Sequence, residues 1–221
     1  MVLGPVVDLH HDKSQIIGKL KRSFHKDPLK VVTYAKAFIQ AFSERNIITC
    51  LKHFPGHGLA THDSHKQAVD ITSTHREIEL IPFRRLIDEE TIPMIMSAHV
   101  MHKDYDSIYP ATLSKKLLRP LLNKPFEGVF VSDDLMMEAI QRFFPLNVAV
   151  LQAFNAGIDM VLLSYNPKAS LEHNKVAIKH VYKTHKSIFD YITNSFKDKN
   201  FIIYNIKKSS ERILMIKKIF N

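Results

Sequence analysis

Five short β-branched runs, each closing on polar residues, recur along the chain at residues 2–8, 47–53, 92–99, 128–134 and 158–164. Their apolar centres read as buried strands. Successive starts lie roughly 30 to 45 residues apart, room for a strand, a loop and a helix in every unit. Helix signals fill the intervals. Asp27 and Pro28 precede the spaced apolar residues Val31, Ala35, Phe38, Ile39 and Phe42, a start signal followed by one buried stripe. Thr74 with Glu77 has the spacing of a capping box ahead of Ile78, Ile81 and Ile87. Ser114 is placed to cap a third helix and Gly157 to close a fourth, while residues 209–220 pattern as an amphipathic last helix. Such alternation implies parallel strands joined by crossover helices. A doubly wound sheet and a (β/α)8 barrel both allow it. The polar strand ends Asp8, Lys52, His53, His99, Asp133 and Asp134 favour the barrel, which builds its active site there. The expectation is an α/β, TIM-barrel-like fold in one domain over residues 1–221, with no linker or internal repeat.

With 45% hydrophobic and 24% charged residues among 221, the chain can bury one sizeable core, which argues against disorder. No apolar stretch approaches the ~18 residues of a membrane span, so no membrane partner is expected. The opening MVLGPVVDLH lacks the parts of a signal peptide. The single cysteine, Cys50, excludes an internal disulfide and fits a reducing, cytoplasmic compartment. The formal charge of +9 could attract polyanions. Its lysines spread along helical segments of the C-terminal third without interleaved aromatics, the pattern of a solvated surface. Nucleic acid is therefore not an expected partner, whereas acidic ligands, including carboxylate-bearing saccharides, stay open.

Two segments carry chemistry. Residues 52–65 read KHFPGHGLATHDSH, a run of histidines with one Asp and one Lys at a strand end. Pro55, Gly56 and Gly58 give the tight backbone that presents side chains into a cleft. A polar surface loop is one alternative. Zinc binding through His53, His57, His62 and His65 is another, opposed by the adjacent Lys52, the absence of a defensible ligand spacing and the lack of a cysteine partner. No metal and no cofactor are expected. Residues 128–140, GVFVSDDLMMEAI, place two adjacent carboxylates at a strand end, and on an extended strand only one of Asp133 and Asp134 can face a given pocket. The other would cap the following helix, and a purely capping role for Ser132, Asp133 and Asp134 remains open.

KHFPGHG, DSH, SAHV, PATLS and GVFVSDDLMMEAI, in that order, together with PVVDL at residues 5–9 and KRSFHKDP at residues 21–28, resemble the barrel domain of glycoside hydrolase family 3, in its bacterial β-N-acetylglucosaminidase branch. SSERILMIKKIF resembles its closing helix. The resemblance implies Asp133 as nucleophile and His65, paired with Asp63, as general acid/base. It implicates Arg22, Lys52 and His53 in holding the sugar, His57 in supporting the loop ahead of touching ligand, and His99 and Met136 in lining the pocket floor. Buried packing is the alternative for these.

The implied reaction is hydrolysis of terminal, non-reducing β-linked N-acetylglucosamine from peptidoglycan fragments, with retention through a covalent glycosyl-enzyme. The implied partner is an amino-sugar saccharide. A histidine in place of an acidic acid/base leaves phosphorolysis open, since phosphate is repelled less. Family members carry an earlier strand with an acidic, Gly-rich segment resembling DQEGG, and nothing like it precedes Val2. The barrel is therefore expected to be incomplete, its first strands missing. That keeps a non-catalytic, saccharide-binding or structural role open as well.

Overall fold

The computed structural model describes residues 1–60, 69–164, 171–196 and 200–219. Helix α1 (Pro28–Ser43) starts where the sequence places it: the Asp27 carboxylate accepts from the Leu29 and Lys30 amides, and Pro28 occupies the first turn. Strand β1 (Cys50–Phe54) follows, then β2 (Val69–Asp70), α2 (Ile81–Glu89), β3 (Met94–Ser97), β4 (Val100–Met101) and β5 (Val129–Asp134). The short α3 (Glu138–Gln141), α4 (Leu146–Ala156), β6 (Met160–Leu162), α5 (Leu171–Phe196) and α6 (Asn200–Ile219) complete the order.

Strands β1, β3, β5 and β6 form one parallel sheet in that spatial order. This is the α/β, TIM-barrel-like arrangement expected. Residues 2–7 run along the free edge of β1, with Val2 N–H to Ile48 C=O at 2.8 Å, Cys50 N–H to Gly4 C=O at 2.7 Å and Val7 N–H to Lys52 C=O at 2.8 Å. They register as a single parallel bridge at Val6 rather than the full strand expected, because Pro5 has no N–H to donate to a ladder. Strands β2 and β4 pair separately as a two-residue parallel ribbon, too short to leave a pattern in the sequence.

Alternation divides the sheet into two faces. Leu51, Ile95 and Phe130 pack with Val31, Val32 and Ala35 of α1, Phe83 and Leu86 of α2, and Ala149, Val150 and Ala153 of α4. The Phe54 ring meets Phe83 edge-on at 5.3 Å. On the other face Cys50, Met94, Met96, Val129 and Val131 pack with Ile216 of α6. That helix is anchored at the start of β6: Asp159 accepts from Ser209 Oγ and from Arg212 Nε and Nη2, and from the Phe130 amide of β5.

Three local expectations are corrected. The Thr74–Glu77 capping box does not form: Thr74 Oγ1 donates to the Ile71 carbonyl, residues 77–80 make a 3-10 turn, and α2 begins with Pro82 in its first turn. Ser114 caps no α-helix; its hydroxyl donates to Asp106 and accepts from the Lys116 amide, and residues 111–113 and 120–122 are 3-10 turns. The last helix starts at Asn200, nine residues before the expected Ser209. Gly157 does close α4, in the left-handed region at φ 102°.

Candidate active site

At the C-terminal ends of the main sheet a cavity of about 110 Å³ is lined by Arg22, Lys52, His53, His57, His99 and Asp133, with Leu3, Ile16, Ile17, Met96 and Leu162 as its apolar wall. Strand parity places two of these groups. Lys52 shares the inner face with Cys50, and Asp133 shares it with Val129 and Val131. The β1–β3 register shifts between Lys52 and Phe54, and with that irregularity consecutive Lys52 and His53 both reach the cavity.

Parity also separates the adjacent carboxylates. Asp133 faces the cavity, its Oδ1 accepting the Asp134 amide at 2.8 Å. Asp134 turns away to hold the following turn, accepting from the Met136 amide at 2.9 Å, the Ser164 amide at 2.9 Å and the Ser164 hydroxyl. Burial alone would raise the Asp133 carboxyl. The nearby His53 and His99 rings, the Asp134 N–H and Lys52 outweigh it and hold the group below the usual carboxylate range, so it is ionised at neutral pH. Burial lowers the Lys52 ammonium, and the Arg22 guanidinium adds to the shift.

His99 is buried with both ring nitrogens engaged, Nδ1 with Thr112 Oγ1 at 2.8 Å and Nε2 donating to the Asp134 carbonyl at 3.0 Å. It therefore lines the cavity and fixes the end of β5. His57 is 4% exposed, with neither ring nitrogen hydrogen-bonded among the described residues, and burial pushes its pKa down to about 4. Its ring is neutral, and its backbone amide is held by Asp8. Met136 stands outside the cavity lining and is 36% exposed, because the turn held by Asp134 carries it past the end of β5. Asp63 and His65 lie outside the described residues. Among the described residues no group of three or more His, Cys, Asp or Glu is disposed to hold a metal ion.

The sequence reading gave no role to Asp8, Ile16, Ile17 or Thr112. Asp8 had one legible signal, its place at a strand end. The apolar walls had none, since Ile16 and Ile17 belong to a turn segment without periodicity.

This gathering of a strand-end Lys-His pair with an inward Asp agrees with the family comparison, in which residues 1–194 match the Glycosyl hydrolase family 3 N terminal domain. The chain belongs to glycosyl hydrolase family 3. A beta-hexosaminidase from Hydrogenovibrio crunogenus is 36% identical over 177 residues, 76% of this family 3 chain and 48% of the relative. Among solved structures, a glycoside hydrolase family 3 beta-N-acetylglucosaminidase from Paenibacillus sp. FPU-7 superposes with a TM-score of 0.82 at 26% identity, covering 99% of this chain and 39% of that one. The beta-N-acetylglucosaminidase from Thermotoga maritima gives 0.77 at 27%, covering 100% and 43%. The chain thus spans about half the length of the curated relatives it matches.

Proposed function

We propose that this domain carries the inner part of a glycoside hydrolase site that cleaves terminal β-linked N-acetylglucosamine, with Asp133 as nucleophile. The observation that carries this reading is that Asp133 is the one carboxylate lining the cavity among the described residues, ionised and grouped with Lys52, His53 and Arg22. Its carboxylate attacks the anomeric carbon as the bond to the leaving oxygen breaks, forming a glycosyl-enzyme. His65, oriented by Asp63, protonates that oxygen and then takes a proton from the attacking water, so the configuration is retained. Lys52, His53 and Arg22 hydrogen-bond the sugar hydroxyls. The hexosaminidase names of the relatives support the amino-sugar substrate.

Peptidoglycan fragments as the source of that sugar and a cytoplasmic location belong to the same proposal. The second is supported by the buried, unpaired Cys50. Among the described residues no helix is long and apolar enough to cross a membrane. Residues 1–221 are taken as one barrel-type unit, in keeping with the packing of α6 beneath the sheet.

Asp133→Asn tests the assignment. Turnover of an aryl N-acetyl-β-glucosaminide should fall about 10³-fold or more with the unfolding midpoint unchanged, and the first-formed sugar should be the β-anomer by NMR. An Asp133→Asn protein with near-normal rates removes this residue from the chemistry. The cations Lys52 and Arg22 also suit an anionic acceptor. Sugar 1-phosphate formed in phosphate buffer, in place of the free sugar, would make the enzyme a phosphorylase.

A further inference from the structure

We propose that Asp8 is a positioning residue: its carboxylate fixes the tautomer of His53 and so makes the nitrogen this ring turns toward the cleft a hydrogen-bond acceptor. The inference rests on the sugar-site reading only for the identity of the group that nitrogen meets.

Asp8 has no exposed surface, and both of its oxygens are occupied. Oδ2 receives the His53 amide at 3.1 Å and the His53 ring Nδ1 at 2.7 Å, while Oδ1 receives the His57 amide at 2.8 Å. Although burial would raise it, the proximity and hydrogen bonds of His53 and His57 keep the Asp8 carboxyl below its ordinary value. An ionised carboxylate only accepts, so the hydrogen of the 2.7 Å contact resides on Nδ1. At the opposite side of the ring, Nε2 lies 3.3 Å from Arg22 Nη2. A guanidinium only donates, so in the neutral ring Nε2 receives. The line Asp8, His53, Arg22 is therefore polarised in one direction, and each member agrees with the next.

A sugar hydroxyl entering the cavity finds an acceptor at Nε2, in exchange for or beside Arg22. A ligand presenting an ether oxygen there would set its own lone pair against that of Nε2, acceptor against acceptor. Asp8 thus adds selectivity for hydroxyl donors from a position that touches no ligand, and through His57 N–H it ties the loop after β1 to the chain segment before it. Replacing the carboxylate by an amide breaks the polarity. Asn offers two donors and one acceptor, and the acceptor cannot serve His53 N–H, His53 Nδ1–H and His57 N–H together.

The test is a long-range ¹H–¹⁵N correlation of the histidine rings in this chain, at a pH where they are neutral, with His53 assigned through His53→Gln. Wild type should show Nδ1 protonated and Nε2 bare. Arg22→Ala should leave that tautomer in place. Asp8→Asn should convert most of the ring to the Nε2–H form and weaken binding of methyl N-acetyl-β-glucosaminide about tenfold, the loss of one hydrogen bond of matched polarity. An Nε2–H wild-type ring, or an Asp8→Asn ring that keeps Nδ1–H, overturns the inference. If Asp8→Asn fails to fold, the other two spectra still decide: a tautomer that changes in Arg22→Ala assigns control to Arg22. A chain that binds no amino sugar refutes the sugar-site reading, while the ring spectrum decides the role of Asp8 independently.

Discussion

Glu79 lies under the loop that follows β1, and its Oε1 accepts the Leu59 amide at 3.0 Å. The contact is close: a Cβ on Gly56, at φ 122°, would come 2.6 Å from Glu79 Cβ. Burial, the first cause, raises the Glu79 carboxyl from 4.5 to about 7, and the Asp8 charge adds to the rise. The native state then holds a proton that the unfolded chain has released. The stability this contributes is complete below the unfolded pKa of 4.5 and is lost as pH rises to about 7. His57 acts with the opposite sign. Its pKa falls from 6.5 to about 4, so the unfolded chain binds the extra proton and stability grows as pH rises through that window. The two slopes oppose each other in the wild type, and only a difference between variants separates them. Between about pH 5 and pH 8, wild type should lose on the order of 3 kcal/mol relative to Glu79→Gln, by urea unfolding at each pH. Parallel pH profiles for the two proteins would show that Glu79 does not titrate in this range.

At the scale of elements, α6 depends on one buried carboxylate. Asp159 is 5% exposed and receives Arg212, Ser209 and the Phe130 amide. Arg212→Ala leaves that charge short of its cation and should cost about 3 kcal/mol in a denaturant midpoint. A shift no larger than that of an exposed substitution would mean that Ile213 and Ile216 hold the helix unaided. Elements announced by local chemistry were legible in the sequence: Asp27 and Pro28 mark α1, and Gly157 closes α4. Those whose signals have a tertiary competitor were not. The Ser114 hydroxyl donates to Asp106, and Pro5 interrupts an otherwise good strand pattern. The site follows the same division. Lys52, His53, His99 and Asp133 were readable as polar groups at strand ends, His57 as part of the loop after one of them and Arg22 through the family resemblance alone, and the structure brings all six to one cavity. The coupling of Asp8 to His53 spans 45 residues, a distance over which sequence pattern carries no hydrogen-bond information.

On the scale of the whole molecule, the strands stand in the sheet in the order in which they stand in the chain, from residues 2–7 through β1, β3 and β5 to β6. A chain leaving the ribosome can therefore lay each strand against one already in place, and no strand waits with an unpaired inner edge for a partner not yet made. Long-range closure comes after the sheet strands. Arg212 and Asp159 are 53 residues apart, and their contact needs α6 to have emerged. Contacts formed after the folding barrier change the rate of unfolding and leave the rate of folding nearly untouched. Stopped-flow traces of Arg212→Ala should accordingly show faster unfolding at an almost unaltered refolding rate. Equal changes in both rates would place α6 in the folding nucleus. With α6 docking after the sheet has formed, a helix that contributes little to reaching the fold also sets how long the fold persists.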